Sequence, residues 1–222
     1  MGNFLMDLLL YTPFLAKGAF VTCVVWLIAG FSSIMIGTIM GIISCRYLAY
    51  KNLSVMVRVY TFVAKGIPAY VQILIAYFVI PSMLGINIPG FITAVLALAF
   101  CSSGYVTEII RAGINTVPRG QWDASFVLGY SLRATLARII LPQTVVNVLP
   151  SLLGELEQLL KSTSLLATIG ITELTRSGMN IISRELNPIP IYLTIAGIYL
   201  IFSAILQSIT IYLEKRTHGY RR

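Results

Sequence analysis

The chain has 222 residues, of which 57% are hydrophobic and only 11% charged, with a formal net charge of +8. A water-soluble domain carries about 25% charged residues, so composition excludes one and points to an integral membrane protein. The positive charge gathers in alternate loops rather than in one basic patch, which argues against a nucleic-acid binder.

Uncharged runs mark the spans, because about 20 apolar residues cross the hydrocarbon core. Residues 1–16 carry Asp7 but no Lys or Arg, so the positive region of a secretory signal is missing. They read as a short interfacial segment. The 28 uncharged residues between Lys17 and Arg46 predict a first span over 17–45. Within it Ser33, Gly37 and Gly41 form a small-residue face, suited to an internal helix contact or to a subunit contact. The short loop that follows makes spans one and two antiparallel neighbours. Between Lys65 and Glu108 lie 42 uncharged residues, divided by PSMLGINIPG. They predict spans over 58–81 and 89–112.

The second span is interrupted by Lys65, Gly66 and Pro68. Such a break frees carbonyls that only protein or a water-lined cavity can satisfy at this depth. The alternative is a kinked helix whose Lys65 snorkels to the interface. Gln72, one turn further in, has no lipid-facing explanation and joins the same candidate solute path. Near the end of the third span Glu108 and Arg111 are three residues apart and can pair, as a structural ion pair or as a gate.

The stretch 121–142, QWDASFVLGYSLRATLARIILP, cannot sit in a membrane, since Asp123, Arg133 and Arg138 are spread along it. It reads as two short amphipathic helices turning at Gly129 and closed by Pro142. Phe126, Val127 and Leu128 place apolar surface at the turn, which predicts a docking partner. A fourth span over 143–169 is unusually polar, with Asn147, Glu155, Glu157, Gln158, Lys161, Thr163 and Ser164. Lipid does not tolerate such a helix, so it is enclosed by protein or lines a path. The helical period puts Glu157, Lys161 and Ser164 on one stripe, with Glu155 about 200° away from Glu157. The sequence therefore predicts a Glu157–Lys161 pair, with Glu155 facing another element or the lumen. The external loop before residue 188 is polar, and span five runs over 188–213 ahead of a basic tail, 214–222, that favours anionic lipid.

Alternate loops collect the basic residues. One side has Arg46, Lys51, Arg58, Arg111, Arg119, Arg133, Arg138, Lys215, Arg216, Arg221 and Arg222; the other has Lys17, Arg176 and Arg184. That bias places the N-terminus outside, and the C-terminus and the 121–142 knuckle in the cytoplasm. Cys23, Cys45 and Cys101 show no CxxC spacing and read as apolar fillers. The single histidine, His218, lies in the tail, so there is no Ser/His hydrolase and no His-based metal site. No GxxxxGK[ST] phosphate loop is present. The energy for uphill work would come from an ion gradient or from a separate subunit, and the knuckle favours the subunit.

The knuckle also carries a resemblance. Asp123-Ala124-Ser125, three residues, Gly129, nine residues and Ile139-Ile140-Leu141-Pro142 closely resemble the EAA motif of ABC-importer permeases, with Asp for Glu at 123 and Ser for Ala at 125. KGIPAYVQ at 65–72, YVTEIIRAGINTVPRGQWDA at 105–124 and LLKSTSLLATIGITELT at 159–175 are similar to stretches of the polar-amino-acid permeases. At 154 this chain has Gly where that subfamily often has a polar residue, and at 157 Glu where an apolar one is usual.

The resemblance implies an all-α, type I importer permease with five transmembrane helices, a single domain whose cytoplasmic loop 113–142 couples to an ATPase. Asp123, Ala124, Ser125, Phe126, Gly129, Ile139, Leu141 and Pro142 would carry that coupling. The implied partners are a cytoplasmic ABC ATPase dimer, a second permease chain (identical or sister), an external solute-binding protein and membrane lipid. ATP and Mg would sit on the ATPase, with no cofactor on this chain. The implied cargo is a polar amino acid, with the basic ones (arginine, lysine, histidine) suited to Glu155 and Glu157. The implied location is the bacterial cytoplasmic membrane. The rival expectation from the residues is a subunit of a gradient-driven carrier or channel.

Overall fold

The computed structural model describes residues 4–47 and 51–217. Among them there is no strand, and eight helices follow in chain order. These are α1 (Phe4–Ile43), α2 (Lys51–Gly66), α3 (Ala69–Leu84), α4 (Gly90–Thr116), α5 (Arg119–Val127), α6 (Leu132–Ile169), α7 (Leu174–Glu185) and α8 (Pro188–Thr217). The residues of the tail beyond Thr217, with His218, Arg221 and Arg222, lie outside the described residues, as do 48–50 of the first loop. Four helices, α1, α4, α6 and α8, are long and apolar enough to cross a membrane. The pair α2 and α3, bent by 100° at Ile67–Pro68, is together long and apolar enough for a fifth, as a broken span or a re-entrant loop. The all-helical, five-span expectation agrees with this architecture.

Three boundaries differ from the sequence reading. Residues 4–16 are no separate interfacial element, because α1 runs unbroken through them to Ile43. Leucine-rich sequence favours the helix there, and Pro13 is the only strong breaker. The second half of the 121–142 stretch is no separate short helix either. Leu132–Thr135 leads through a widened π-turn, Leu136–Ile140, straight into the fourth span. Pro142 therefore opens onto the span instead of closing the motif. At the other end, the last part of α6, Thr163–Ile169, tightens to 3₁₀ geometry before Gly170 (φ 81°) ends it.

The chain falls into two compact units. In the first, α1 up to Phe31 packs with α3, the start of α4, the end of α6, α7 and most of α8. Val25, Ala29, Ile73, Leu98, Leu159 and Leu166 form one of its cores. Trp26 Nε1 donates to Leu156 O at 2.8 Å and ties α1 to α6. A second core gathers Leu15, Leu174, Ile181, Ile191 and Ile195. Glu173 sits beside it, fully buried, and is the N-cap of α7. Its carboxylate accepts from Arg176 N at 2.7 Å, Thr175 N at 2.9 Å and Tyr199 Oη at 3.1 Å. Leu174 N donates in turn to Thr22 Oγ1 at 3.1 Å, so α1, α7 and α8 meet at one polar joint.

In the second unit, the rest of α1 packs on the later part of α4 through small residues. A Cβ on Gly37 would lie 2.5 Å from Val106 Cβ, and one on Gly41 would lie 2.8 Å from Ile110 Cβ. The small-residue face is thus an internal packing face, which decides between the two readings that the sequence leaves open. Gly113 admits Val148 in the same way, with only 2.0 Å between a would-be Cβ and Val148 Cγ1. The core consists of Cys45, Val106, Ile110, Ile114, Trp122, Ile140 and Val148. Arg46 N donates to Asn115 Oδ1 at 3.0 Å and fixes the chain leaving α1 against the end of α4.

Two outcomes follow from these contacts. Gly37→Val places a branched side chain where the Val106 side chain already sits. It is expected to destabilise by about 1–3 kcal/mol, the usual range for overpacking, read as a lowered melting temperature and loss of monodisperse protein in detergent. Unchanged melting would mean that the two helices can move apart freely. For Glu173, burial pushes the carboxyl up from its ordinary value, against the opposing hydrogen bonds. The folded state thus favours the neutral acid, a contribution that is full at acidic pH and is lost as pH rises through the raised value. Glu173→Gln keeps an acceptor oxygen for the α7 N–H groups and removes the charge. It is expected to match the wild-type melting temperature at acidic pH and exceed it at pH 8; a deficit at pH 8 would show the carboxylate to be needed.

Candidate functional site

The stretch 118–142 forms a pinned hairpin within the second unit. Pro118 caps α5, its fixed φ suiting the position just before the helix. Gly129 takes φ 81°, a left-handed conformation that β-branched side chains scarcely adopt. Tyr130 N returns to Ser125 O at 3.0 Å and Gly129 N to Phe126 O at 3.0 Å, which closes the end of α5. Ser131 then caps α6, accepting from Ala134 N at 3.3 Å.

Two buried contacts hold the limbs of the hairpin. Ser125 Oγ lies 2.9 Å from Thr135 Oγ1 and 2.7 Å from Trp122 O. Trp122 is fully buried and stacks on Tyr47, with ring centroids 4.3 Å apart and planes 16° apart. Thus the serine at 125 is a strut between α5 and α6, and the tryptophan anchors α5 to the chain leaving α1. Sequence reading singled out Ser125 by its motif position and missed Trp122, Thr135 and Tyr47. A tryptophan in an otherwise polar segment was the available signal.

The tip of the hairpin is open. Val127 is 86% exposed and Leu128 73%, with Phe126, Tyr130 and Leu132 also exposed beside them. Asp123 and Ala124 are exposed on the same helix. Pro142 lies two residues past the π-turn. Gln143 Nε2 donates to Ile139 O at 2.8 Å and Thr144 Oγ1 to Ile140 O at 2.9 Å, so side chains serve carbonyls of the widened turn. Ile139 is half-buried and Leu141 likewise, both packed against the core that holds Trp122.

The candidate path residues divide between the two units. In the second, Lys65 is exposed, with Nζ 5.4 Å from the ring centre of Tyr105. Gly66 beside it is open. Glu155, half-buried, accepts from Ser102 Oγ at 2.7 Å and lies within electrostatic reach of Tyr105 and Cys101. Lys65 and Glu155 thus both lie in the electrostatic neighbourhood of Tyr105. Among the described residues Glu155 has no ion-pair partner. The Glu108–Arg111 pair is formed at 2.5 Å on the same helix as Tyr105, partly exposed, in the structural geometry that the spacing allows.

In the first unit Glu157 and Lys161 pair at 2.7 Å, as their spacing predicts. Glu157 is thereby occupied, and Glu155 turns to Ser102 on another helix, as the 200° separation requires. Thr163 is buried and donates to Leu160 O at 2.7 Å, while Ser164 donates to Lys161 O at 2.7 Å. Both hydroxyls serve their own backbone. Pro68 caps α3, and Gln72 is buried with Nε2 on Ile67 O at 2.6 Å. That amide holds a carbonyl freed by the break.

On α6 the exposed residues follow the helical period: Gln143, Asn147, Ser151, Gly154, Gln158 and Lys161. Only 17% of the span's apolar window is buried inside the chain, against 61% for α4. The polar helix is therefore not enclosed by its own chain.

A family model described as binding-protein-dependent transport system inner membrane component matches residues 33–219. The putative glutamine transport system permease protein GlnP of Rickettsia prowazekii (strain Madrid E) is 36% identical over 175 residues, 78% of this chain and 79% of that one. The arginine transport system permease protein ArtQ of Bacillus subtilis (strain 168) is 32% identical over 164 residues, 74% of each chain. A crystal structure of an amino acid ABC transporter with histidines is similar at a TM-score of 0.86 and 31% identity, covering 95% of this chain and 97% of that one.

Proposed function

The chain belongs to the binding-protein-dependent transport system inner membrane components, and from that premise we propose that it is the permease through which a bacterial ABC importer brings a polar amino acid into the cytoplasm. The observation that carries the coupling half of this reading is the exposed apolar tip Phe126–Val127–Leu128 on a hairpin braced by Ser125–Thr135 and Trp122–Tyr47. A tip that transmits force has to be apolar enough to dock and stiff enough not to yield. Asp123 and Ala124 flank the contact, Gly129 sets the turn, and Ile139, Leu141 and Pro142 join the second limb to span four. The partner is an ATPase dimer holding ATP and Mg, and hydrolysis there moves α5 and α6 together.

The basic-residue bias supports a cytoplasmic hairpin, an external N-terminus and placement in the cytoplasmic membrane. The exposed polar stripe of α6 supports a second permease chain facing it across a water-lined path. An external binding protein, in keeping with the family's name, delivers the solute. For the solute itself, an α-amino acid needs an acceptor for its ammonium and a donor for its carboxylate. Glu155 and Lys65, both in the neighbourhood of Tyr105, offer that combination. A cationic side chain would gain most from Glu155, which no basic residue neutralises. Arginine is therefore the preferred solute of this reading, ahead of glutamine.

Gly129→Val forces a branched residue into the left-handed region. The fully assembled transporter, with ATPase and binding protein in vesicles, is expected to hydrolyse ATP with at least tenfold less uptake, or to lose its ATPase on purification; normal coupled uptake would remove the turn from the mechanism. Glu155→Gln is expected to weaken arginine uptake at least tenfold in apparent affinity, about 1.4 kcal/mol, with glutamine uptake little changed. An equal loss for both solutes would make Glu155 a contact for the shared ammonium, and no loss for either would exclude it from the path.

A further inference from the structure

A cavity of about 500 Å³ opens in the first unit, lined by none of the residues of the hairpin and by neither Lys65 nor Glu155. One wall is a stripe of α1, with Phe14, Lys17 and Val21 at helical spacing. The facing wall is α7, with Asn180 and Arg184 one turn apart, and Ile171 of the preceding loop closes an edge. The two walls meet at Gly18, where a Cβ would lie 2.4 Å from Ser177 Oγ. The helices are thus in direct contact at the floor and diverge above it.

Three features of the cavity bear on its occupant. First, of the three basic residues on the charge-poor side of the chain, Lys17 and Arg184 both line it. Second, neither is in an ion pair among the described residues, so the cavity holds an uncompensated double positive charge. Third, its level is fixed by sequence: Lys17 ends one uncharged run of 28 residues, and Arg184 stands next to Glu185, which ends another. The cations therefore lie where hydrocarbon gives way to headgroups. The rest of the lining is largely aromatic and aliphatic. An occupant with one anionic group at the boundary and apolar matter attached to it matches this combination.

We propose that the cavity binds an anionic phospholipid, its phosphate between Lys17 and Arg184 with Asn180 as a further donor, and an acyl chain along Phe14, Val21 and Ile171. Arginine and lysine both bind phosphate oxygens, the arginine through two parallel N–H groups. Such a lipid would wedge α1 against α7 from the same side as the Glu173 joint.

The test uses the assembled transporter purified in mild detergent, titrated with phosphatidylglycerol or with phosphatidylcholine and read by native mass spectrometry. Wild type is expected to retain phosphatidylglycerol at least tenfold better than phosphatidylcholine, in line with two basic groups at an anionic surface. Lys17→Gln with Arg184→Gln should abolish that preference. Both positions are exposed, so folding is expected to persist. Asn180→Trp, which fills the cavity from an exposed position with both charges kept, should lower phosphatidylglycerol retention as well. Retention unchanged in both variants would overturn the proposal. So would displacement of the lipid by millimolar sn-glycerol 3-phosphate, which would make this a site for free phosphate esters. Loss of binding-protein stimulation in the double variant with lipid retention intact would assign the cations to protein docking and would equally overturn it.

Discussion

Every backbone group inside a bilayer has to find its partner within the protein, and the prolines of this chain make that constraint visible. Two of the prolines inside helical runs stand two residues after a π-turn, Pro81 after Ile75–Val79 and Pro142 after Leu136–Ile140, whereas Pro13 and Pro150 are passed without one. A proline ring collides with the carbonyl four residues back and offers it no hydrogen. In both cases that carbonyl, of Tyr77 or Arg138, falls within the widened turn. The π-turn is the local response that lets the helix continue. Where the chain cannot continue, at Ile67–Pro68, Gln72 supplies the missing donor to Ile67 O. Polar side chains at these places are parts of the backbone's hydrogen-bond network before they are anything else.

That constraint explains how the hairpin can be rigidly joined to a span. Because the π-turn absorbs Pro142, α6 is one run from Leu132 to Ile169 and no hinge separates the hairpin's second limb from the span. Its first limb cannot swing either, since Ser125 bonds Thr135 and Trp122 stacks on Tyr47. A displacement applied at Val127 or Leu128 thus reaches the α6 backbone through one buried hydroxyl pair and one continuous helix. The replacement of alanine by serine at 125, a departure from the motif, adds a hydrogen bond and stiffens the joint.

The fold was legible where charge and spacing carry it. Uncharged runs located four of the expected spans and a weaker, charged apolar stretch the fourth in order, the glycine at 129 announced a left-handed turn, and the four-residue spacing of Glu157 and Lys161 announced their pair. Legibility failed where the answer depends on which atoms fill a gap. Nothing in the order of residues said that Leu136–Ile140 would widen to pass Pro142, so the sequence reading ended the hairpin there. Gln72 and Thr163 invite a path reading as polar atoms within a span, and the fold shows that each also donates to a nearby carbonyl, Gln72 to Ile67 and Thr163 to Leu160. Trp122 and Tyr47 are 75 residues apart, and only the tertiary fold shows them stacked.

The same distinction between polar groups that are spent and polar groups that are free orders the fourth span. Thr144, Thr163 and Ser164 each serve a carbonyl of their own helix, and Glu157 serves Lys161. These groups cost little in an apolar setting because their partners come with them. Asn147 and Gln158 face outward from the chain, on a stripe that also carries Gly154, where a Cβ would meet nothing within 4 Å. Lipid would leave such groups unsatisfied, and an alanine-rich helix would have sufficed for a lipid-facing span. An open glycine at the centre of that stripe leaves room for something bulkier than a methyl group to approach the backbone. The polar half of α6 therefore presents to its surroundings groups that the chain itself leaves without a cover.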